Sequence, residues 1–196
     1  MANPQTSDDT FCQHGYTGVM HRSTLTADLL DASTACCELY VARGSTKLTV
    51  AEIAEHIGIS VRTFHRYFAT KADTVSPLFR EKSRALNDYV DRVDASPLDV
   101  FLVGGHTAMF GGLAAELTRN LFPLVFGDAE MWAVFLRALH EGDAALRPRF
   151  AVRLEIPSDH PRLAAATSVF TSANRIALEG MVREGRSSDS IFLETI

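Results

Sequence analysis

Residues 49–68 read TVAEIAEHIGISVRTFHRYF, and this stretch decides how the N-terminal part of the chain folds. Thr49, followed three residues later by a glutamate, forms a capping box that predicts the start of a helix. Gly58 ends that helix, because glycine adopts left-handed backbone angles without strain. Ser60 then caps a short helix that we place from Val61 to about Phe68. The sequence therefore predicts two short helices joined by a tight turn.

The spacing of three residues within this stretch is typical of a DNA-binding helix-turn-helix. Ala54 is small, so the second helix can cross the first one closely, and Gly58 supplies the turn. Phe64 is the apolar anchor on the inner side of the second helix. Matches of this kind also occur by chance in helical proteins, so the charge pattern has to be considered with them.

Charge is distributed unevenly along the chain. The formal net charge is -5, which argues against a chain coated in nucleic acid. Residues 43–71 nevertheless carry more basic than acidic side chains, namely Arg43, Lys47, Arg62, Arg66 and Lys71 against Glu52 and Glu55. A local basic region in an acidic protein is typical of a small anion-binding surface, although an ordinary solvated surface has the same composition. Because this region coincides with the two short helices, we favour DNA binding.

The outward side chains of the second short helix are the candidate DNA contacts. A helix that enters the major groove presents its N-terminal side chains to base edges, so Arg62 suits a guanine and Thr63 suits a phosphate or a base. His65, Arg66 and Tyr67 are better placed for the DNA backbone, although Tyr67 also suits packing. Free amides at two helix starts favour a phosphate beside Thr49 and Lys71. The candidate set is Thr49, Ser60, Val61, Arg62, Thr63, His65, Arg66, Tyr67 and Lys71.

The rest of the chain has a helical pattern almost throughout and no alternating β pattern of useful length. A first helix from Ser23 ends at Gly44, and Thr70 with Asp73 resembles a second capping box that opens a fourth helix containing Pro77. Further helices are predicted near 97–112, 115–125, 128–154 and 159–184, the first of them with Ser96 as N-cap and Pro97 in its first position. The predicted organisation is a flexible tail at 1–21, a helix-turn-helix domain at 22–70, a helical ligand-binding and dimerisation domain at 71–184, and a tail at 185–196.

Residues 48–79 resemble the N-terminal region of TetR-family transcriptional regulators, most clearly from Ser60 to Lys71. In that family an aromatic-rich third helix leads into a Phe, two further residues and a Lys that opens the fourth helix. The resemblance extends over about residues 22–92, and the remainder agrees only in length and helical character. It implies an all-α homodimer with an N-terminal three-helix helix-turn-helix domain followed by a helical bundle for ligand binding and dimerisation. It also implies double-stranded DNA and a small-molecule effector as partners, with repression the expected direction.

Two residues of the second short helix, which corresponds to the third helix of the family, depart from the family pattern. Arg62 stands where the family often has Gly, and it adds a candidate for reading a base. His65 stands where the family often has Tyr, so it keeps a donor but lacks the phenol that would contact a phosphate. Pro77, early in the fourth helix, is not required by the pattern either, and it predicts a kink or altered first turns.

Aromatic residues are concentrated in the C-terminal half, where the resemblance implies a ligand. A cavity built from them would suit an apolar or aromatic molecule, although the same residues would also form an ordinary helical core. The candidate ligand contacts are Phe101, His106, Met109, Phe110, Phe122, Trp132 and Phe135, and His106 alternatively packs inside the core. The glycine pairs at 104–105 and 111–112 indicate close helix packing, a break, or room for a ligand, because glycine disfavours a helix interior.

The predicted helix over 159–184 is apolar on two sides. Leu163, Phe170 and Ala177 share one side, and Val169 and Ile176 share a neighbouring one. Such a helix needs two partners, of which one is its own domain and the other a second subunit. A two-fold dimer then places its recognition helices about 34–36 Å apart, on successive turns of a near-palindromic operator.

The sequence lacks the signals that identify several other classes of protein. We expect no membrane span, because no stretch reaches about 18 uncharged apolar residues, and a cytoplasmic location, because the N-terminus lacks the pattern of a signal peptide. Cys12, Cys36 and Cys37 fit reduced thiols, the last two as small buried groups. No hydrolase, metalloprotease, Walker or Rossmann motif is present, so we expect no catalytic residue, no metal and no cofactor. The alternatives are a helical ligand-binding or interaction protein without DNA binding and, less favoured, a small helical enzyme.

Overall fold

The structure, a computed structural model, describes residues 17–93, 97–111 and 115–196. The described residues form helices and contain no strand, which confirms the prediction of an all-α fold. The helices are α1 (Thr17–Arg43), α2 (Val50–His56), α3 (Val61–Tyr67), a short 3-10 helix (Ala72–Val75), α4 (Ser76–Arg92), α5 (Leu98–Phe110), α6 (Ala115–Phe126), α7 (Ala129–Leu154), α8 (Pro161–Glu184) and α9 (Ser188–Thr195).

The predicted caps of the two short helices are confirmed. The Thr49 hydroxyl accepts a hydrogen bond from the Glu52 backbone N–H at 3.2 Å, and the Glu52 carboxylate accepts one from the Thr49 N–H at 2.7 Å. The Ser60 hydroxyl accepts from the Thr63 N–H at 3.0 Å. Each cap therefore satisfies backbone donors that have no partner inside their own helix.

The segment from Thr70 to Pro77 differs from the prediction of one continuous fourth helix. Thr70 and Asp73 do exchange capping hydrogen bonds, with Thr70 N donating to Asp73 Oδ2 at 3.0 Å. The turn they open is the short 3-10 helix, and α4 begins only at Ser76. Pro77 consequently lies in the first turn of α4, where its missing N–H costs no hydrogen bond and causes no kink.

The glycine pairs of α5 have different surroundings. α5 begins at Leu98 with Pro97 in the N-cap position, one residue later than predicted, and Ser96 lies outside the described residues. A side chain at Gly104 would overlap the Tyr89 hydroxyl, and one at Gly105 would lie 3.1 Å from Phe170. Close packing therefore accounts for this pair, whereas Gly111 ends the helix and Gly112 lies outside the described residues.

The two predicted tails need correction. Ser187 caps α9 through the Ser190 N–H at 3.1 Å, and Ile191 and Phe192 of this helix are buried. The prediction of a tail over 185–196 is therefore wrong, because eight helical residues are too few to show a hydrophobic period but enough to bury two side chains. At the other end, residues 1–16 lie outside the described part, and 17–21 belong to α1 rather than to a tail.

The helices of the C-terminal half pack around the long α7 and α8. α4 contacts α5 and α7, and α8 contacts α7 and α9. Paired charges join α4 to α7, since Arg149 donates to both carboxylate oxygens of Asp91 at 2.8 and 2.9 Å. No single helix in the described ranges is long and apolar enough to cross a membrane, and only the bent pair α5 and α6, taken together, reaches that length and composition.

Candidate nucleic-acid interface

The turn between α2 and α3 has the backbone geometry that its glycine predicts. Gly58 has φ of +72°, in the left-handed region, and a Cβ there would meet no atom within 4 Å. The Ile59 N–H donates to the Ala54 carbonyl at 2.9 Å, and the Gly58 N–H donates to the Glu55 carbonyl at 3.2 Å. These bonds satisfy the last carbonyls of α2, so glycine is needed here for its conformation rather than for space.

The inner side of α3 is held in the core of the N-terminal helices. Phe64 is fully buried, as are Ile53 and Ala54 of α2. The Phe64 ring lies 5.2 Å from the ring of Phe68, the C-cap residue that follows α3. This packing determines which side of the helix faces solvent.

The outer side of α3 carries free positive charge. Arg62, Thr63, His65 and Arg66 surround an open surface depression of about 390 Å³. Arg62, His65 and Arg66 are exposed, and no acidic side chain among the described residues pairs with either guanidinium. The Arg66 guanidinium lies 5.3 Å from the centre of the Tyr67 ring, which is half-buried. The surface therefore presents cations that no neighbouring carboxylate neutralises.

The residues at the start of α3 are arranged around its cap. Val61 is 45% exposed. The Thr63 hydroxyl lies 2.9 Å from the Ser60 hydroxyl and is half-buried, so it is already engaged inside the protein. Of the first three side chains of α3, Arg62 and Val61 are accordingly the more accessible.

Thr49 and Lys71, the two residues predicted at helix starts, form different contacts within the protein. Thr49 is exposed, and its hydroxyl donates to the Glu52 carboxylate at 2.7 Å; hydrogen bonds from Thr49 lower the pKa of Glu52. The Lys71 ammonium donates to the Thr46 backbone carbonyl at 2.9 Å. Lys71 therefore links the 3-10 helix to the loop before α2, a contact that the sequence pattern did not predict.

Comparison with known proteins agrees with this geometry. The family model described as "Bacterial regulatory proteins, tetR family" matches residues 33–75, which include α2, α3 and the turn between them. Over these residues the chain is similar to the TetR family of transcriptional regulators. A crystal structure of a tetR-family transcriptional regulator from Streptomyces coelicolor has a similar fold, with a TM-score of 0.56 and 16% identity over 88% of this chain and 77% of that chain. No curated protein matches the sequence.

The predicted ligand contacts in the C-terminal half are placed in several separate groups. Phe122, Trp132 and Phe135 pack against one another, with ring centres 5.1 to 6.0 Å apart. Phe101 lies elsewhere, 5.6 Å from the ring of Phe150. The structure therefore does not assemble the seven predicted residues into one site.

His106 is held inside the C-terminal half by its neighbours. It is 1% exposed, its Nδ1 lies 2.8 Å from Asn174 Oδ1, and its ring stacks on Phe192 at 4.3 Å. Nε2 lies 3.1 Å from a carboxylate oxygen of Asp189. Burial lowers the pKa of His106, and the contacts with Asn174 and Asp189 oppose that shift. This arrangement matches the alternative in which His106 packs in the core.

A cleft outside the predicted ligand set lies between α5, α6, α8 and α9. Its volume is about 600 Å³, and of the predicted ligand residues it includes Phe110 alone. Other lining residues are Arg119, Met181, Arg186 and Asp189. The sequence did not predict this cleft, because residues 185–189, which line one wall, lie in the segment predicted to be a tail.

A much smaller cavity, of about 10 Å³, lies on another side of Phe110, beside Met109, Phe135 and Lys82 of α4. Lys82 was not predicted as a site residue. A lysine on the apolar side of an amphipathic helix was the available signal, since Leu78, Phe79 and Leu86 of α4 are buried on the same side.

The buried cysteines of α1 agree with their prediction. Cys36 and Cys37 are free and fully buried. Burial raises the pKa of the Cys36 thiol to about 12 and also raises that of Cys37, so both thiols stay protonated at neutral pH and act as small core groups.

Proposed function

We propose that the chain represses transcription by binding a near-palindromic operator as a homodimer and that a small-molecule effector releases it. The observation that supports DNA recognition is that the basic side chains of α3 face solvent and form no ion pair with another described residue. They face solvent because Phe64, on the opposite side of the helix, is buried. A helix in this position presents its first side chains to base edges in the major groove. In the proposal no residue is catalytic and no metal or cofactor takes part.

The residues of α3 divide into base and backbone contacts. Arg62 is exposed and unpaired among the described residues, so it is proposed to bind a guanine through both donors of its guanidinium. Thr63, whose hydroxyl is engaged by Ser60, is assigned the weaker contact. His65, Arg66 and Tyr67 are the proposed contacts to the DNA backbone, with Thr49 and Lys71 beside a phosphate. Ser60 and Val61 complete the proposed DNA-binding set.

The second subunit is proposed to pack on the exposed side of α8. Val169 is 66% exposed and Ile176 is 41% exposed, while Leu163, Phe170 and Ala177 are buried within the chain. Leu136, which is 39% exposed, belongs to α7, the helix that packs against α8. Two copies that bury these side chains form a four-helix interface and place two copies of α3 about 34–36 Å apart.

The effector is proposed to act through α4. This helix follows the helix-turn-helix and is joined by ion pairs to α7, as Arg80 contacts Glu141 at 3.2 Å. A molecule that separates α4 from α7 therefore moves the two DNA-binding heads of a dimer relative to each other. A coupling of about 1–3 kcal/mol is enough to lower operator affinity about 5- to 150-fold.

The experiment measures operator binding by fluorescence anisotropy with fragments selected from genomic DNA. Arg62→Ala should weaken binding about 5- to 100-fold and relax the preference at one base position. Arg92→Ala, which removes an exposed arginine at the end of α4, is the matched control and should bind as the parent does. Equal affinities for all three proteins would refute the role of Arg62. If the parent selects no DNA, the alternative of a helical ligand-binding or interaction protein is favoured.

A further inference from the structure

His106 has a buried ring nitrogen that no described residue satisfies. The residue lies on α5 and is 1% exposed. The side-chain N–H of Asn174 donates to the Phe170 carbonyl at 2.8 Å, so Oδ1 of Asn174 is the atom that faces His106 Nδ1, also at 2.8 Å. Because Oδ1 only accepts, Nδ1 carries the ring proton. Nε2 keeps its lone pair, and among the described residues it has no hydrogen-bond partner.

Asp189 does not supply the missing donor. Burial lowers the pKa of His106, so the ring is neutral at pH 7. In a neutral ring with its proton on Nδ1, Nε2 is an acceptor, and the Asp189 carboxylate oxygen 3.1 Å away is an acceptor too. A buried acceptor that meets another acceptor instead of a donor costs free energy. The space beside Nε2 therefore suits a hydrogen-bond donor.

This nitrogen lies directly behind the wall of the cleft between α5, α6, α8 and α9. The cleft has a volume of about 600 Å³, and small-molecule sites typically measure about 300–1,000 Å³. Two of its lining residues contact His106, because the Phe110 ring centre lies 5.4 Å from the imidazole and Asp189 approaches Nε2. The Asp189 side chain is 72% exposed, so it can turn into solvent and open Nε2 to the cleft.

The other walls of the cleft suit a neutral ligand with an aromatic body. Phe110, Leu178 and Met181 offer apolar contacts. Arg119 and Arg186 also line the cleft, and Arg119 is exposed and forms no ion pair with another described residue. These guanidinium groups disfavour a cationic amine as the donor. A hydroxyl group supplies the donor without that repulsion.

We infer that this cleft is the effector site and that the effector is a phenol, an aromatic ring that carries a hydroxyl group. The inference rests on the proposed effector response and names the chemistry of the ligand. Asp189 turns outward, and the phenol O–H donates to His106 Nε2 in its place. The aromatic ring packs against Phe110 and Met181, since aromatic rings and thioether sulfur both form favourable contacts with a ring.

Two walls of the cleft connect it to the DNA-binding helices. Gly105, the neighbour of His106 on α5, lies against Leu86 of α4, because a Cβ there would lie 3.1 Å from the leucine side chain. α6, another wall, contacts α1. α1 and α4 are the helices on either side of the helix-turn-helix along the chain. A ligand that displaces α5 or α6 therefore also moves the helices that hold α3.

The test compares 2-naphthol with its methyl ether, 2-methoxynaphthalene, on the full-length protein. The two compounds share the ring system and the oxygen atom, and only 2-naphthol has an O–H donor. Equilibrium dialysis at pH 7, read through the fluorescence of the compounds, gives both affinities. The parent should bind 2-naphthol about five- to tenfold more tightly, because only the phenol satisfies Nε2. Equal affinities, or no binding of 2-naphthol at millimolar concentration, would overturn the inference.

His106→Phe removes the acceptor and keeps a planar ring that stacks on Phe192 as the imidazole does. It should lower the affinity for 2-naphthol about five- to tenfold, to that for the ether, and change the affinity for the ether little. Undiminished binding of 2-naphthol would contradict the contact with Nε2. This variant also loses the bond to Asn174, so variants of an exposed residue provide an independent test.

Asp189 offers two variants with opposite expected effects. Asp189→Asn places an N–H donor beside Nε2, so the protein fills the acceptor itself and 2-naphthol should bind about fivefold more weakly. Asp189→Ala removes the carboxylate from the path, and 2-naphthol should bind at least as tightly as it does to the parent. Asp159→Asn, which alters an exposed aspartate before α8, is the matched control and should bind as the parent does. Equal affinities of Asp189→Asn and Asp159→Asn for 2-naphthol would contradict the inference.

Operator affinity measured without ligand separates the phenol site from the proposed function. A parent that binds its operator but ignores 2-naphthol contradicts the phenol effector alone. A parent that binds 2-naphthol through His106 but binds no DNA contradicts the repressor alone. Where both hold, 2-naphthol should lower the operator affinity of the parent and leave that of His106→Phe nearly unchanged.

Discussion

The Thr46 hydroxyl donates a hydrogen bond to the Asp128 carboxylate at 2.8 Å. Thr46 lies in the loop between α1 and α2, and Asp128 caps α7 by accepting from the N–H groups of Glu130 and Met131 at 3.1 and 3.2 Å. The Lys71 ammonium donates to the Thr46 backbone carbonyl at 2.9 Å. One side chain at the start of α7 thus joins the DNA-binding helices to the C-terminal half.

Thr46→Val should weaken this joint without changing the size of the side chain. We expect a loss of about 1 kcal/mol in the free energy of unfolding, because the Asp128 carboxylate loses one buried donor. Chemical denaturation measures this loss, and Thr107→Val, which alters an exposed threonine of α5, is the control. If both variants are equally stable, the hydrogen bond contributes nothing to the joint.

The contact between Thr46 and Asp128 should weaken at acidic pH. Burial alone would raise the pKa of Asp128, but hydrogen bonds from Thr46 and from the N–H groups of Met131 and Glu130, with the nearby Lys71 charge, lower it overall. A carboxyl group with a lowered pKa stabilises the fold above its ordinary pKa of about 4, and this contribution is lost as the pH falls through the lower folded value.

Asp128→Asn tests this pH dependence, since asparagine keeps the shape but does not ionise. The parent should be the more stable protein at pH 7, and the difference should shrink as the pH falls below about 4. Denaturation curves at neutral and acidic pH measure it. Comparing the two proteins isolates Asp128 from Glu52, Glu81 and other carboxyl groups whose pKa values are also lowered. A difference that is the same at every pH would contradict the assignment.

Phe64→Ala should unfold the recognition helix. Phe64 is fully buried, so its truncation leaves a cavity and costs about 3–5 kcal/mol. We expect operator binding to be lost while much of the helical circular dichroism remains, because the C-terminal half has its own core. Glu55→Ala on the exposed side of α2 is the control. Retained operator affinity in Phe64→Ala would show that α3 does not depend on this anchor.

Phe192→Ala should destabilise the C-terminal half. The Phe192 ring is fully buried, stacks on His106 and meets Phe170 at 5.9 Å, so its loss should cost about 3–5 kcal/mol. The adjacent Leu193 is 57% exposed, and Leu193→Ala should change stability little. Thermal unfolding compares the two variants. Equal melting temperatures would mean that α9 is not part of the core.

Lys71→Ala distinguishes a phosphate contact from an internal link. Loss of a phosphate contact should lower affinity for all DNA sequences and flatten the dependence on salt by about one unit of slope. Loss of the bond to the Thr46 carbonyl should lower the melting temperature of the free protein. We expect both effects in Lys71→Ala. An unchanged salt slope would leave Lys71 with the internal role alone.

The sequence by itself determined those features that depend on neighbours along the chain. The caps at Thr49 and Ser60 and the left-handed turn at Gly58 are formed by atoms a few residues apart, so residue type and spacing were sufficient to predict them. The buried position of Phe64 followed from the same local pattern, as did the two-sided character of α8, with Val169 exposed.

The tertiary structure alone decided the relationships between distant segments. Thr46 and Asp128 are 82 residues apart, and nothing local to either residue indicates their contact. The docking of α9 through Phe192 and the burial of Lys82 likewise depend on which helices pack together. Hydrophobic burial has no direction and no fixed spacing along the chain, so a short helix or a single lysine shows its environment only after the other helices surround it.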